Sequence, residues 1–213
     1  MDAEPSTRLY LLRHAEVEEK YHVTFGGTID MTLSDRGHSQ ATALADYLQD
    51  IPFQKIYSSP MIRARETIAP LARRLNHCPI IMEDLREIDF GSWTGLHWDE
   101  VYSKYRLSAF DWLHHLETGT IPQAEPIPVF RRRIEACLAE IFNNCKGQTV
   151  GMLSHGGVIR MILSILLDIP LHKKAGFEIH YASVSIAEIF PHKNVVQLLN
   201  FTPWRDLPAR PKS

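Results

Sequence analysis

Cysteine is scarce: Cys78, Cys137 and Cys145 are the only ones, and no CxxC pair exists. An odd, scattered set argues against a disulfide framework and against a Cys-based zinc site. It fits reduced thiols in a cytoplasmic protein. Long hydrophobic runs are also lacking. Leu9 to Leu12 is too short for a signal-peptide core. Val158 to Ile169 is broken by Arg160 and Asp168 and falls short of a membrane span. The expectation is a soluble, non-secreted chain with no membrane partner. Charge of one sign is not in excess either: 23 Lys and Arg against 25 Asp and Glu give a net −2. A nucleic-acid or acidic-membrane binder usually carries a basic surplus, so neither partner is expected. No repeat, low-complexity tract or linker-like change of composition is visible.

What is present is ordinary globular material, 213 residues with 45% hydrophobic and 23% charged. That length allows one large domain or two small ones, and burial of about 70% of the unfolded surface. With no linker, residues 1–213 read as one domain. Short apolar runs at Arg8 to Leu12, Gln54 to Ser58, Pro79 to Met82, Gln148 to Leu153, Tyr181 to Phe190 and Val195 to Phe201 read as strands. Helical spacing occurs from Ser34 to Leu48, from Ser59 to Leu75, from Val129 to Phe142 and from Val158 to Leu167. Strands alternating with helices predict an α/β fold, a three-layer α/β/α sandwich on a mostly parallel sheet. The segment 84–128, rich in Trp and His, reads as an insertion over the active edge. Pro203 to Ser213 reads as a frayed tail.

Two apolar strands each end in a histidine: Arg13-His14 and Ser154-His155-Gly156-Gly157. In an open α/β sheet, ligands gather at the carboxyl ends of strands. Ser154-His155-Gly156-Gly157 precedes a helix, so free backbone N–H groups there would favour an anion. A third strand leads through Ser59-Pro60 to Arg63 in the first turn of its helix. Two arginines and two imidazoles at one edge suit a phosphate, because guanidinium forks make strong charge-assisted bonds to it. His14 is the candidate nucleophile, kept neutral by Arg13 and Arg63. Glu87 is the candidate proton donor to the leaving alcohol. A lone strand-end His, a lone first-turn Arg or a lone Glu is ordinarily a solvated or satisfied polar residue; their joint placement carries the argument.

In order along the chain, several segments resemble the histidine phosphatase (phosphoglycerate-mutase-like) superfamily. They are Leu11-Leu12-Arg13-His14-Ala15-Glu16, the loop Gly27 to Gly37, Ser58-Ser59-Pro60-Met61-Ile62-Arg63-Ala64-Arg65-Glu66-Thr67, Leu85 to Gly95, and Ser154 to Arg160. The resemblance implies that His14 takes the phosphoryl group and that Arg13, Arg63 and His155 bind and polarise it; Gly156 is expected at the same phosphate site through its backbone N–H. Glu87 would act as general acid and then as base. It also implies no metal and no cofactor. Ala15 stands where the family usually has Gly, and Lys20 where it has Asn, so Lys20 is either a phosphate contact or a solvent residue. Glu125 and Arg133 keep a local family pattern and are expected at the pocket wall.

The short span from Glu87 to His155 points to a phosphatase of small phosphorylated metabolites, in the style of α-ribazole and broad-specificity phosphatases. A cofactor-dependent phosphoglycerate mutase is the alternative, and a non-catalytic phospho-ligand binding protein a more distant one. The oligomeric state stays open, a homodimer included. His114-His115 lacks metal-ligand spacing and reads as a surface pair, and Arg131-Arg132-Arg133 as a solvated run. Trp93 reads as core, while Trp98 and Trp112 stay open between core and pocket wall.

Overall fold

The computed structural model describes residues 6–207. In chain order the regular elements are β1 (Thr7–Arg13), α1 (Asp35–Leu48), β2 (Lys55–Ser58), α2 (Ile62–Leu75), β3 (Ile80–Ile81), α3 (Trp98–Tyr105) and α4 (Trp112–Glu117). They continue with α5 (Ile127–Asn144), β4 (Thr149–Ser154), α6 (Gly156–Leu167), β5 (Val184–Ile189), β6 (Asn194–Phe201) and α7 (Pro203–Asp206). The six strands form one sheet in the order β3-β2-β4-β1-β5-β6. β1, β2, β3 and β4 run parallel; β5 pairs antiparallel with β1, and β6 pairs antiparallel with β5. The expected α/β class with a mostly parallel sheet is therefore observed.

Side chains of a strand alternate between its two faces. In β1, Leu9 and Leu11 enter a core shared with Ile134, Leu138 and Ile141 of α5 and with Val158 and Ile162 of α6. Tyr10 and Leu12 enter the opposite core, with Leu44 and Leu48 of α1 and Ile68 and Leu71 of α2. The strand is thus buried on both sides, which is why its sequence reads as an unbroken apolar run. Each buried leucine contributes roughly 1.5–3 kcal/mol relative to exposure.

Local chemistry moves several boundaries away from the sequence reading. The second helix starts at Ile62 rather than Ser59, because the Ser59 N–H still bonds the Leu153 carbonyl of the sheet. Asp30 Oδ1 then accepts the Ile62 N–H at 2.8 Å and caps the helix from outside. The fifth strand begins at Val184 rather than Tyr181, because Ala182 adopts φ +51° and turns the chain. The tail does not fray at Pro203. Pro203–Asp206 is a helical turn, with Asp206 Oδ2 accepting the Thr202 N–H and Trp204 Nε1 donating to the Tyr181 carbonyl. The rest of the expected frayed tail lies outside the described residues.

His114 and His115 are not a surface pair. His115 is buried, its ring 5.5 Å from that of Trp93 and its Nδ1 3.1 Å from Thr120 Oγ1. Nor is the arginine run wholly solvated, since Arg133 turns inward onto Glu125.

Candidate active site

The register of the two central strands builds the site. Arg13 of β1 lies opposite Ser154 of β4 at the last paired rung. The next residue on each strand is a histidine, so His14 and His155 leave the sheet side by side, ring centroids 5.2 Å apart. Both are buried. The His14 backbone is clamped, its N–H donating to the Ser154 carbonyl and its carbonyl accepting the Ala182 N–H.

His14 Nδ1 lies 2.8 Å from the Ala15 carbonyl. A carbonyl only accepts, so Nδ1 carries the proton and Nε2 keeps its lone pair. Burial, then Arg63, then Arg13 push the His14 pKa well below the ordinary imidazole value. The neutral, nucleophilic form is thereby favoured. His155 is pushed down for the same first reason, burial, and next by Arg63. Both His155 nitrogens are engaged by protein: Arg63 Nε donates to Nδ1 at 3.2 Å, and Nε2 lies 2.7 Å from Ser59 Oγ.

Arg63 sits in the first turn of α2 and is 2% exposed. Its Nη1 donates to the Ile29 carbonyl at 2.7 Å and its Nη2 to the Gly27 carbonyl at 3.3 Å. With no carboxylate bonded to it among the described residues, the guanidinium is oriented by neutral acceptors and keeps its charge for a ligand. Burial lowers its pKa to about 10. Arg13 donates to the Ile179 carbonyl, and its guanidinium lies 4.2 Å from the centroid of the Tyr181 ring.

A cavity of about 290 Å³ opens in front of these groups, lined among others by Arg13, His14, Arg63, Glu87, Gly156 and Gly157. Its walls are Tyr21, Phe25, Phe90, Trp98, Trp112 and Tyr181. Trp98 and Trp112, open at the sequence level, thus face the cavity, while Trp93 is wholly buried. Lys20 is 63% exposed and pairs with Glu18 at 2.9 Å; its neighbour Tyr21 is the lining residue.

Glu87 reaches the cavity from the 84–128 segment. Its Oε1 accepts the Ile88 N–H at 3.0 Å and its Oε2 the Gly157 N–H at 3.2 Å. The N–H of Gly157 at the start of α6 is therefore not free for an external anion; Glu87 occupies it. Arg133 of α5 holds the preceding loop, donating to the carbonyls of Asp84 and Arg86 and bonding Glu125 in bidentate fashion at 2.7 and 2.8 Å.

Sequence reasoning missed Arg160 and Tyr181, both on the cavity. Arg160 follows Gly156 by one helical turn, a spacing that places the two on one face, and this was the available signal. Tyr181 had none, since only the turn at Ala182 brings it beside His14, ring centroids 5.5 Å apart.

Residues 9–202 match the histidine phosphatase superfamily, branch 1. The chain belongs to that superfamily. It is 33% identical over 196 residues to phosphoserine phosphatase 1 of Hydrogenobacter thermophilus, covering 92% of each chain. It is 26% identical to the adenosylcobalamin/alpha-ribazole phosphatase of Salmonella typhimurium, covering 91% of this chain and 96% of that one. Among solved structures, a putative alpha-ribazole-5'-P phosphatase from Escherichia coli superposes with a TM-score of 0.81 at 22% identity, over 92% of this chain and 96% of that one. A mycobacterial glucosyl-3-phosphoglycerate phosphatase gives 0.80 at 24% identity, over 92% and 99%. This superfamily member thus shares its fold with phosphatases of several small substrates.

Proposed function

We propose that this phosphomonoester hydrolase works through a phosphohistidine formed on His14. The observation that carries the reading is the bond between His14 Nδ1 and the Ala15 carbonyl, which leaves the Nε2 lone pair bare in a cavity that also holds Arg13 and Arg63. In the first step Nε2 attacks phosphorus and the bond from phosphorus to the alcohol oxygen breaks. Glu87 gives that oxygen its proton, so the alcohol departs neutral. The phosphorylated ring keeps its Nδ1 proton on the Ala15 carbonyl. In the second step Glu87 accepts a proton from water, the water oxygen bonds phosphorus, and the P–N bond breaks to release phosphate and restore His14.

Arg13 and Arg63 face the charge of the equatorial oxygens, the part of phosphoryl transfer that positioned cations stabilise most. For His155 the geometry supports an orienting role, between Arg63 and Ser59, alongside any direct contact with the phosphoryl group. Gly156, with no side chain at the cavity wall, leaves the phosphoryl seat open. The cavity volume and the phosphatase relatives support a small phosphorylated metabolite as substrate. Three unpaired cysteines support a reducing compartment such as the cytoplasm. No helix among the described residues is long and apolar enough to cross a membrane.

The test measures phosphate release from p-nitrophenyl phosphate beside phosphoglycerate mutase turnover, in the unmodified protein and in His14→Ala. Hydrolysis should exceed mutase turnover and fall about 1000-fold or more in the variant. Retained turnover in His14→Ala, or mutase activity above hydrolysis, would overturn the proposal.

A further inference from the structure

Arg160 is a cation that the phosphoryl chemistry above does not use. It lies on α6, lines the cavity, and donates from Nη1 to the Gly156 carbonyl at 3.2 Å. Its guanidinium carbon stands 5.8 Å from the centroid of the Trp112 ring. Among the described residues, the buried Nε of Arg160 has no hydrogen-bond partner, and the same holds for the buried Nε of Arg13. The two guanidinium groups meet over Gly156. A Cβ built there would lie 3.1 Å from Arg160 Nη1 and 3.6 Å from Arg13 Nε and Cζ. Two like charges with unpaired buried donors, side by side at a cavity wall, are a costly arrangement unless an anion enters between or beside them.

One anion cannot use all of these donors equally well. Arg63 and Arg13 are the cations that act on the His14 ring, where the phosphoryl group forms its bond. Arg160 Nη1 is anchored on the Gly156 carbonyl and Glu87 Oε2 on the N–H of the next residue, Gly157, so the two side chains meet at the start of α6. Glu87 is the proton donor to the departing alcohol, so Arg160 stands on the leaving-group side of the cavity. Glu178, the nearby acid that would otherwise neutralise it, is 78% exposed and pairs with His180 at 3.0 Å. Glu87 has both oxygens on backbone N–H groups. Neither satisfies the Arg160 Nε.

We infer that Arg160 selects phosphomonoesters whose alcohol portion carries a carboxylate, with the guanidinium fork receiving that second anion beside the phosphoryl seat. The inference rests on the phosphatase reading and adds the chemical class of the leaving group. A carboxylate takes two parallel N–H bonds from a guanidinium, a match that the fork of Arg160 offers and a neutral alcohol cannot use. A neutral alcohol in the same place would leave Arg160 without an anion.

Two substrates with one carbon skeleton test it: 3-phosphoglycerate, which has the carboxylate, and glycerol 3-phosphate, which has a hydroxymethyl group instead. The unmodified protein should show kcat/KM about 10- to 100-fold higher on the carboxylate substrate. In Arg160→Gln that ratio should collapse toward one, and Arg160→Lys, which keeps the charge without the fork, should restore part of it. Equal losses on both substrates in Arg160→Gln would mean that Arg160 serves the phosphoryl group itself, and would overturn the inference. So would a preference of the unmodified protein for glycerol 3-phosphate, a result that needs no variant to fold. Absence of any His14-dependent hydrolysis, of p-nitrophenyl phosphate included, would instead defeat the phosphatase reading.

Discussion

Glu87 and Gly157 are joined across 70 residues of sequence by one hydrogen bond, the Gly157 N–H donating to the Glu87 carboxylate at 3.2 Å. The contact is possible because position 157 has no side chain. A Cβ there would come within 2.5 Å of Glu87 Oε1 and 3.3 Å of Ile88 Cγ2. Gly157→Ala should therefore push the carboxylate out of place. A loss in kcat of about tenfold or more is expected, because a positioned acid contributes on the order of 100-fold or more. Overpacking should cost about 1–3 kcal/mol of stability. Steady-state kinetics and urea denaturation check both; unchanged kcat would separate Glu87 from the chemistry.

The two buried histidines set a pH signature for catalysis. Burial, then Arg63, then Arg13 depress His14, so it stays neutral below the ordinary imidazole value of 6.5. Turnover that needs neutral His14 should persist at about pH 5.5. A kcat/KM profile that loses half its value at or above about pH 6.5 would count against His14 as the neutral nucleophile.

Stability should carry the same signature. In the unfolded chain His14 and His155 bind protons as the pH falls through about 6.5, while in the folded protein they remain neutral. The unfolded state then binds more protons, so folding stability drops as the pH goes down through this window. The contribution is at most about 2.7 kcal/mol per pH unit for the pair. Chemical denaturation between about pH 7 and pH 5 measures it. Replacing His155 by Gln should flatten the slope by about half, since one of the two titrating groups is removed.

How much of this was legible in sequence differs by residue. His14 and His155 were readable because a parallel register turns two strand ends into neighbours, and strand ends are visible as the end of an apolar run. Arg63 was readable because its helix follows directly on a strand. Glu87 was reached through its motif, but its anchorage on the α6 backbone was not, since it depends on a contact with Gly157 that no local pattern encodes. Arg160 was hidden by its helix: one charged residue in a largely apolar stretch looks like a surface position. His115 was misread for the same reason, because its burial is decided by Trp93, 22 positions away in sequence and 5.5 Å away in space. The late start of β5 was hidden in Ala182, whose positive φ is a choice of the packed structure rather than of alanine.

The position of Glu87 depends finally on a residue that touches no substrate. Arg133 bridges Glu125 to the carbonyls of Asp84 and Arg86, and its Nη2 lies 3.4 Å from the carbonyl of Glu87 itself. Lysine keeps the charge but cannot make this fork. Arg133→Lys should lower stability by about 1.5–3 kcal/mol, the range for hydrogen bonds to charged groups. A purely structural role would slow every substrate alike. A role in positioning Glu87 would not, because p-nitrophenolate leaves as a stable anion and needs little protonation, whereas an alkoxide needs a full proton from the acid. Arg133→Lys should therefore reduce kcat on an alkyl phosphate such as glycerol 3-phosphate about tenfold more than on p-nitrophenyl phosphate, with smaller changes in KM. Equal reductions on the two substrates would leave Arg133 as a brace of the fold alone.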